Sequence, residues 1–393
     1  MNKRFMWSLI GVLSVISLLI VGCAPETTPT TPTTPTSPTT PTAPTTPSQP
    51  SGEVITWTVQ STYADASPES VRVKTMFEER IPALTGGQLK GQVFGPGAIV
   101  PAYEGWEAVD EGTLDACLIT PSDERGKFGP SGDLFNQYAA GPTGREMVAW
   151  YYEGDGMDLL QQTIKKVGFN NIIPLGPLNI PWAEDELWSK KEIKTLDDYR
   201  GLKIRTFGYW GEVLESLGAS IVTLPGNEVY PALERGVIDA CELGSPSQNR
   251  PLAIHEVCTY CYNPGVHSPG NCHSLQVNVA SWEALPSDVK YALQRELKAT
   301  AWESYSANCL ADAEARQFFR DYGSVLNELP MDIQAYIVVG CQNLWNRFSQ
   351  EDPWFGTVYS NQTAFLETYR SVAGETEPNI AQILVYAAEH NIT

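Results

Sequence analysis

Arg205 is the residue of this chain best placed to do chemistry. It closes a short apolar strand, Leu202-Lys203-Ile204, and opens into an aromatic, glycine-bearing loop, Phe207-Gly208-Tyr209-Trp210-Gly211. A helical pattern follows from Glu212 to Leu217, with Gly218 as its stop. Strand ends that face helix starts are where α/β folds place ligands. A guanidinium there is a planar fork matched to a carboxylate. A second constellation offers different chemistry: Cys258 and Cys261 are spaced C-x-x-C, with His255, His267, Cys272 and His273 nearby, a set that could bind zinc. Its second pair is adjacent rather than spaced, however, so buried cysteines or a disulfide are the favoured reading there. The sequence contains no nucleophile elbow, phosphate loop or paired-histidine metalloprotease helix. With four histidines in all, a histidine-based catalytic apparatus has little to work with.

Elements able to position Arg205 are legible around it. Val54 to Gln60 alternates as a strand, a polar loop from Ser61 to Ser67 leads into a helix through Arg80, and Gly86 to Val93 reads as a second strand. Strand and helix patterns alternate from there, the pattern of an α/β fold with largely parallel strands. Glu107-Ala-Val-Asp-Glu-Gly-Thr-Leu-Asp-Ala-Cys117 recurs without a gap as Pro231-Ala-Leu-Glu-Arg-Gly-Val-Ile-Asp-Ala-Cys241, each a helix, a glycine cap and a buried strand. That echo, with the length of 393 residues, predicts two similar lobes that close on a ligand. The last third changes character: Ser287 is the expected cap of a helix running to Arg320, and another helix is expected over 333–348.

The two ends of the chain and its charge bound the function. Lys3 and Arg4 precede an apolar run from Phe5 to Val21, and Ile20-Val21-Gly22-Cys23 has the form of a lipobox. Residues 1–22 are expected to be a lipoprotein signal peptide, with Cys23 as the lipidated residue of the mature chain, rather than a transmembrane helix. From Cys23 to residue 52 the chain is mostly Thr, Pro and Ser, which reads as a tether. The expected protein is exported, anchored by lipid to the outer face of the cell membrane. A net charge of −20 argues against nucleic acid or any polyanionic partner. Capture of an anion must then be local, through a positive group or a bound cation.

The stretch Gly201-Leu202-Lys203-Ile204-Arg205, its helix, Leu217-Gly218-Ala219 and Ala232-Leu233-Glu234-Arg235-Gly236-Val237-Ile238-Asp239-Ala240 resembles the solute receptors of TRAP (tripartite ATP-independent periplasmic) transporters. Gly144-Arg-Glu-Met-Val-Ala-Trp-Tyr-Tyr152 and Pro264-Gly-Val-His-Ser-Pro-Gly270 resemble the 2-oxo-acid branch of that family. The resemblance implies a two-lobed periplasmic solute-binding fold with extra C-terminal helices. It implies lobe I over 53–176 with about 266–308, and lobe II over 177–265 with about 309–393. It implies no enzyme activity and no catalytic cofactor. A small 2-oxo or 2-hydroxy monocarboxylate would be gripped by Arg205 and bridged by calcium or sodium on Glu242 and the carbonyl of Leu243. Leu243 stands where the family has tryptophan, and Glu184 is matched to a family glutamine, a change that favours calcium. Trp182, Phe207 and Tyr63 are expected as pocket walls from their loop positions. Implied partners are the membrane subunits of a transporter and, through the long helix, a second copy in a homodimer. A receptor for a neutral polyol or sugar is the alternative. An exported zinc protein or enzyme built on the 255–273 cluster, or a surface scaffold with no small ligand, stands further off.

Overall fold

A computed structural model describes residues 53–224 and 226–376. The calls on the signal peptide, Cys23 and the tether therefore lie outside the described residues. Among the described residues eleven strands form two sheets. They are β1 (Ile55–Ser61), β2 (Leu89–Phe94), β3 (Ala116–Leu118), β4 (Ile172–Asn179), β5 (Leu187–Ser189), β6 (Lys203–Arg205), β7 (Ser220–Val222), β8 (Ala240–Cys241), β9 (Tyr260–Asn263), β10 (His273–Asn278) and β11 (Val325–Glu328). The first sheet has the order β2-β1-β3-β10-β4 and the second β11-β9-β5-β8-β6-β7.

The chain crosses between the sheets through two short segments, 180–186 after β4 and 264–272 after β9, and again through one helix, Ser287–Tyr322. These crossings explain why the strands are less uniformly parallel than the sequence pattern predicts. β5 enters the second sheet antiparallel to β8 and β9, and β10 enters the first antiparallel to β3 and β4. The internal echo has a topological counterpart. Its first copy ends in β3, between parallel β1 and antiparallel β10; its second ends in β8, between parallel β6 and antiparallel β5. In both copies the glycine adopts a left-handed conformation, φ +79° at Gly112 and +74° at Gly236, where a side chain would be strained.

Two boundaries differ from those expected. β4 continues to Asn179, paired with His273, so the crossing starts at 180 rather than 177. The helix Ser287–Tyr322 runs unbroken through 308/309, where the lobe division was expected. Its N-cap is Pro286, one residue before the predicted Ser287. The cause is its apolar face: Leu293 and Leu297 bury beside Trp57 and Leu275 of the first sheet, whereas Phe319 meets Trp188 of the second at 4.9 Å between ring centroids. One rigid rod thus serves both cores, and cutting it would expose each. Two further helices follow, Met331–Glu351 and Pro353–Thr376. Among the described residues no helix is long and apolar enough to cross a membrane.

Candidate functional site

The parallel pair β6–β8 sets Arg205 opposite Cys241, and Glu242 follows at once, its N–H donating to the Arg205 carbonyl (3.1 Å). Both side chains therefore emerge at the same C-terminal sheet edge, the position where open α/β sheets bind ligands. Arg205 is 7% exposed. Its Nε donates to the Leu224 carbonyl (3.0 Å) and its Nη1 to the Glu242 carbonyl (2.6 Å), with the Glu242 carboxylate at 3.6 Å. Those carbonyls lock the fork in place, so its direction does not depend on the ion pair alone. Glu242 Oε1 also accepts from the Thr206 hydroxyl and the Phe207 N–H, each at 2.6 Å.

The two crossings complete the cluster. In the extended segment before β5, alternate residues point to opposite sides. Glu184 and Glu186 face one side, while Asp185 turns to Trp188 Nε1 and Asn249 Nδ2, both at 2.9 Å. The return turn, 264–270, brings His267 against them. Its Nδ1 lies 2.9 Å from Glu186 Oε2, and its Nε2 lies 3.2 Å from Glu184 Oε2 and 3.6 Å from Glu242 Oε2. The Trp210 ring stacks on the imidazole at 4.7 Å. Gly265 permits this approach, because a Cβ there would sit 2.2 Å from the Glu184 carbonyl oxygen.

Burial opposes charge on both His267 and Glu242. The surrounding carboxylates, Glu186 first, nonetheless raise the histidine pKa well above its ordinary value. His267, Arg205 and Thr206 hold the Glu242 carboxyl well below the usual range. Among the described residues Glu184, Glu242 and His267 are the group whose ligating atoms, all within 4.8 Å of one another, could hold a metal ion.

A cleft of about 500 Å³ adjoins this cluster. Glu184, Leu243, Phe207 and Tyr63 line it, together with polar groups such as Gln137 and Asn271. Tyr63 donates to Asp123 (3.0 Å) and packs on His273, and the Arg125 guanidinium lies 3.8 Å from the centre of the Phe207 ring. Arg205 and Glu242 adjoin the cleft rather than form its wall. Trp182 does not line it: the indole stacks on Tyr305 of the long helix at 5.1 Å and donates to the Tyr305 carbonyl. A position in a loop before the site did not fix which way that side chain turns.

The C-x-x-C constellation comes apart in three dimensions. Cys258 and Cys261 are free and buried in the core of the second sheet; Cys272 is also free and buried. His255 packs among Phe318, Phe319 and Tyr322, and His273 lies beside Glu69. No zinc site forms from that set among the described residues. Glu186 and the pairing of His267 with Glu184, Glu186 and Glu242 are what the sequence reading missed. The signal available was Glu184-x-Glu186 in an extended segment, which places two carboxylates on one side.

Two sheets joined by crossings, with charged groups at their ends and a cleft beside them, define a two-lobed α/β binding protein. The chain belongs to the bacterial extracellular solute-binding proteins of family 7, whose model matches residues 59–352. It resembles a monocarboxylate 2-oxoacid-binding periplasmic protein of Nostoc, with 30% identity over 234 residues. That match covers 60% of this chain and 63% of the relative, so the chain spans less than two thirds of that relative's length. A TRAP periplasmic solute-binding protein of Colwellia psychrerythraea, solved with calcium and pyruvate bound, is 26% identical with a TM-score of 0.76, covering 83% of this chain and 98% of that one. One from Pseudoalteromonas atlantica, with sodium and pyruvate, is 25% identical with a TM-score of 0.75 over the same shares.

Proposed function

We propose that this chain is the extracytoplasmic receptor of a TRAP transporter and captures a small 2-oxo or 2-hydroxy monocarboxylate with the help of a bound cation. The observation that carries the reading is the juxtaposition, at one sheet edge, of a locked guanidinium with the buried carboxylates of Glu242 and Glu184. A substrate carboxylate would take its charge-assisted hydrogen bonds from Arg205, whose Nη2 has no hydrogen bond among the described residues. Glu242, Glu184 and the Leu243 carbonyl would hold the cation. When bound, that cation supplies positive charge facing the ligand oxygens. The donor set fits, since Glu242 keeps Oε2 directed at the cluster while Oε1 is engaged by Thr206 and Phe207.

The relatives with calcium or sodium beside pyruvate support the same pairing of carboxylate and cation. In a protein of net charge −20 such local positive groups are what an anion needs. The reading includes a lipid anchor at Cys23, a tether through residue 52, and delivery of ligand to membrane subunits. Ligand and cation are tested together by thermal unfolding against pyruvate, lactate, longer 2-oxo acids and polyols, each with calcium, sodium or chelator. Binding to the native state raises stability, by about 2.7 kcal/mol at 100 times the dissociation constant. A shift that needs both carboxylate and cation supports the proposal. A shift with polyols alone, indifferent to cations, replaces it with a neutral-ligand receptor.

A further inference from the structure

We infer that the wall of the cleft formed by Glu69 and His273 is a hydroxyl-binding subsite, so that the ligand is a 2-oxo or 2-hydroxy monocarboxylate carrying a hydroxyl further along its chain. The inference rests on the proposed grip of the carboxylate by Arg205 and names what the rest of the same cleft selects. Glu69 stands in the first turn of the helix Pro68–Thr75, and His273 opens β10; both line the cleft, yet they are only 2% and 4% exposed. Asn179, at the end of β4, sets the direction of both. Its Oδ1 accepts from Arg72 Nη1 at 2.9 Å, and arginine can only donate, so the amide nitrogen is the atom turned to the other two. That Nδ2 lies 3.2 Å from Glu69 Oε1 and 3.2 Å from His273 Nδ1. Nδ1 is therefore the acceptor, and the proton of the neutral ring sits on Nε2. Burial favours that neutral form by lowering the His273 pKa. Gln248 Nε2 donates to the same Glu69 Oε1 at 2.7 Å. Among the described residues Glu69 Oε2 and His273 Nε2 have no hydrogen bond, and neither is closed off from solvent.

A charged acceptor beside an N–H donor is what one hydroxyl needs: it donates to Oε2 and accepts from Nε2–H. Other tails fit less well. An aliphatic tail would strip water from both atoms and pair neither. A second carboxylate would meet the carboxylates of Glu69 and Asp123, in a chain of net charge −20. An ammonium would face the donating Nε2–H, and the Arg72 guanidinium already supplies Glu69 with positive charge. Size agrees. Pyruvate displaces about as much volume as three or four waters, roughly 100 Å³, in a cleft of about 500 Å³. Glu184, Leu243 and Phe207 line that same cleft beside the Arg205 edge, so a ligand held there by its carboxylate leaves room for a tail against Glu69 and His273.

The test is calorimetric titration of the mature protein, in saturating calcium or sodium, with acids matched in length. The acid 4-hydroxy-2-oxopentanoate is compared with 2-oxopentanoate, and gluconate with 2-hydroxyhexanoate; pyruvate and 2-oxoglutarate complete the series. At least one hydroxylated acid is expected to bind more tightly than its apolar counterpart by roughly 10- to 150-fold, the worth of a hydrogen bond to a charged acceptor. Glu69→Gln keeps the shape and turns an amide donor towards the ligand, so it should shrink that preference to about threefold or less. Should that variant fail to fold, the wild-type ratios alone decide. Apolar acids bound as tightly as their hydroxylated counterparts would overturn the inference and leave the carboxylate receptor standing. The tightest binding by 2-oxoglutarate would do the same, because it would seat a second carboxylate where Glu69 should repel it. A preference that Glu69→Gln leaves intact would place the hydroxyl elsewhere in the cleft and overturn the assignment. Binding of none of the acids, with either cation, would overturn the receptor reading and the inference with it.

Discussion

Replacing Arg205 by lysine keeps the positive charge and removes the fork, which isolates the geometric part of recognition. In the native structure the guanidinium serves two backbone carbonyls, Leu224 at 3.0 Å and Glu242 at 2.6 Å, with one terminal nitrogen left for a ligand. An ammonium on a flexible stem cannot satisfy both carbonyls and also face the cleft. One carbonyl is left unpaired, at a cost of about 1–3 kcal/mol in stability. If the ammonium keeps its carbonyl, the ligand loses a hydrogen bond to a charged donor, worth about 1.5–3 kcal/mol, or roughly 10- to 150-fold in affinity. Arg205→Ala goes further and removes one of the two positive groups beside the buried Glu242 carboxylate, leaving His267 as the other, which should cost about 1.5–3 kcal/mol of stability. The assay is calorimetric titration of the mature protein with pyruvate in saturating cation, beside urea unfolding without ligand. An Arg205→Lys protein that binds pyruvate as tightly as wild type would refute the placement of the carboxylate at this guanidinium.

Gly265→Ala should impair both folding and binding, since its Cβ would meet the Glu184 carbonyl oxygen at 2.2 Å; overpacking of this kind costs about 1–3 kcal/mol, read by urea unfolding. Leu243→Trp narrows the 500 Å³ cleft, so competition binding should show longer 2-oxo acids losing affinity more than pyruvate does. Asp133 is pushed up to about 6 by burial, against the pull of Arg125. Its native carboxyl therefore holds a proton more tightly than the unfolded chain does, and the associated stability is present below about pH 4 and lost as pH rises through 6. Asp133→Asn should flatten that part of the stability–pH curve, measured by urea unfolding from pH 4 to 7; an unchanged slope would assign it to other groups.

How much could be read in advance follows from how local each feature is. Arg205 was accessible because it sits at the end of a short strand, and strand-turn-helix patterns are set by neighbours in sequence; Glu242 came only through the resemblance to the family. The echo of 107–117 in 231–241 was legible for the same reason, although only the topology shows both copies lying between a parallel and an antiparallel neighbour. The antiparallel β5 and β10 were not legible, because a strand pattern does not state which sheet the chain has crossed into. The cysteine and histidine cluster misled because nearness along the chain does not decide direction: His255 and Cys258 face a core, whereas His267 turns to the carboxylates of Glu184, Glu186 and Glu242.

The sequence by itself determined an acidic α/β chain, two related halves, and a strand-end arginine suited to a carboxylate. Tertiary structure alone decided that Glu184 and Glu186 meet His267, more than eighty residues away, and that Trp182 turns from the cleft onto Tyr305. Two crossings and a glycine without room for a side chain make that meeting, and such contacts depend on how distant segments pack rather than on any pattern within them.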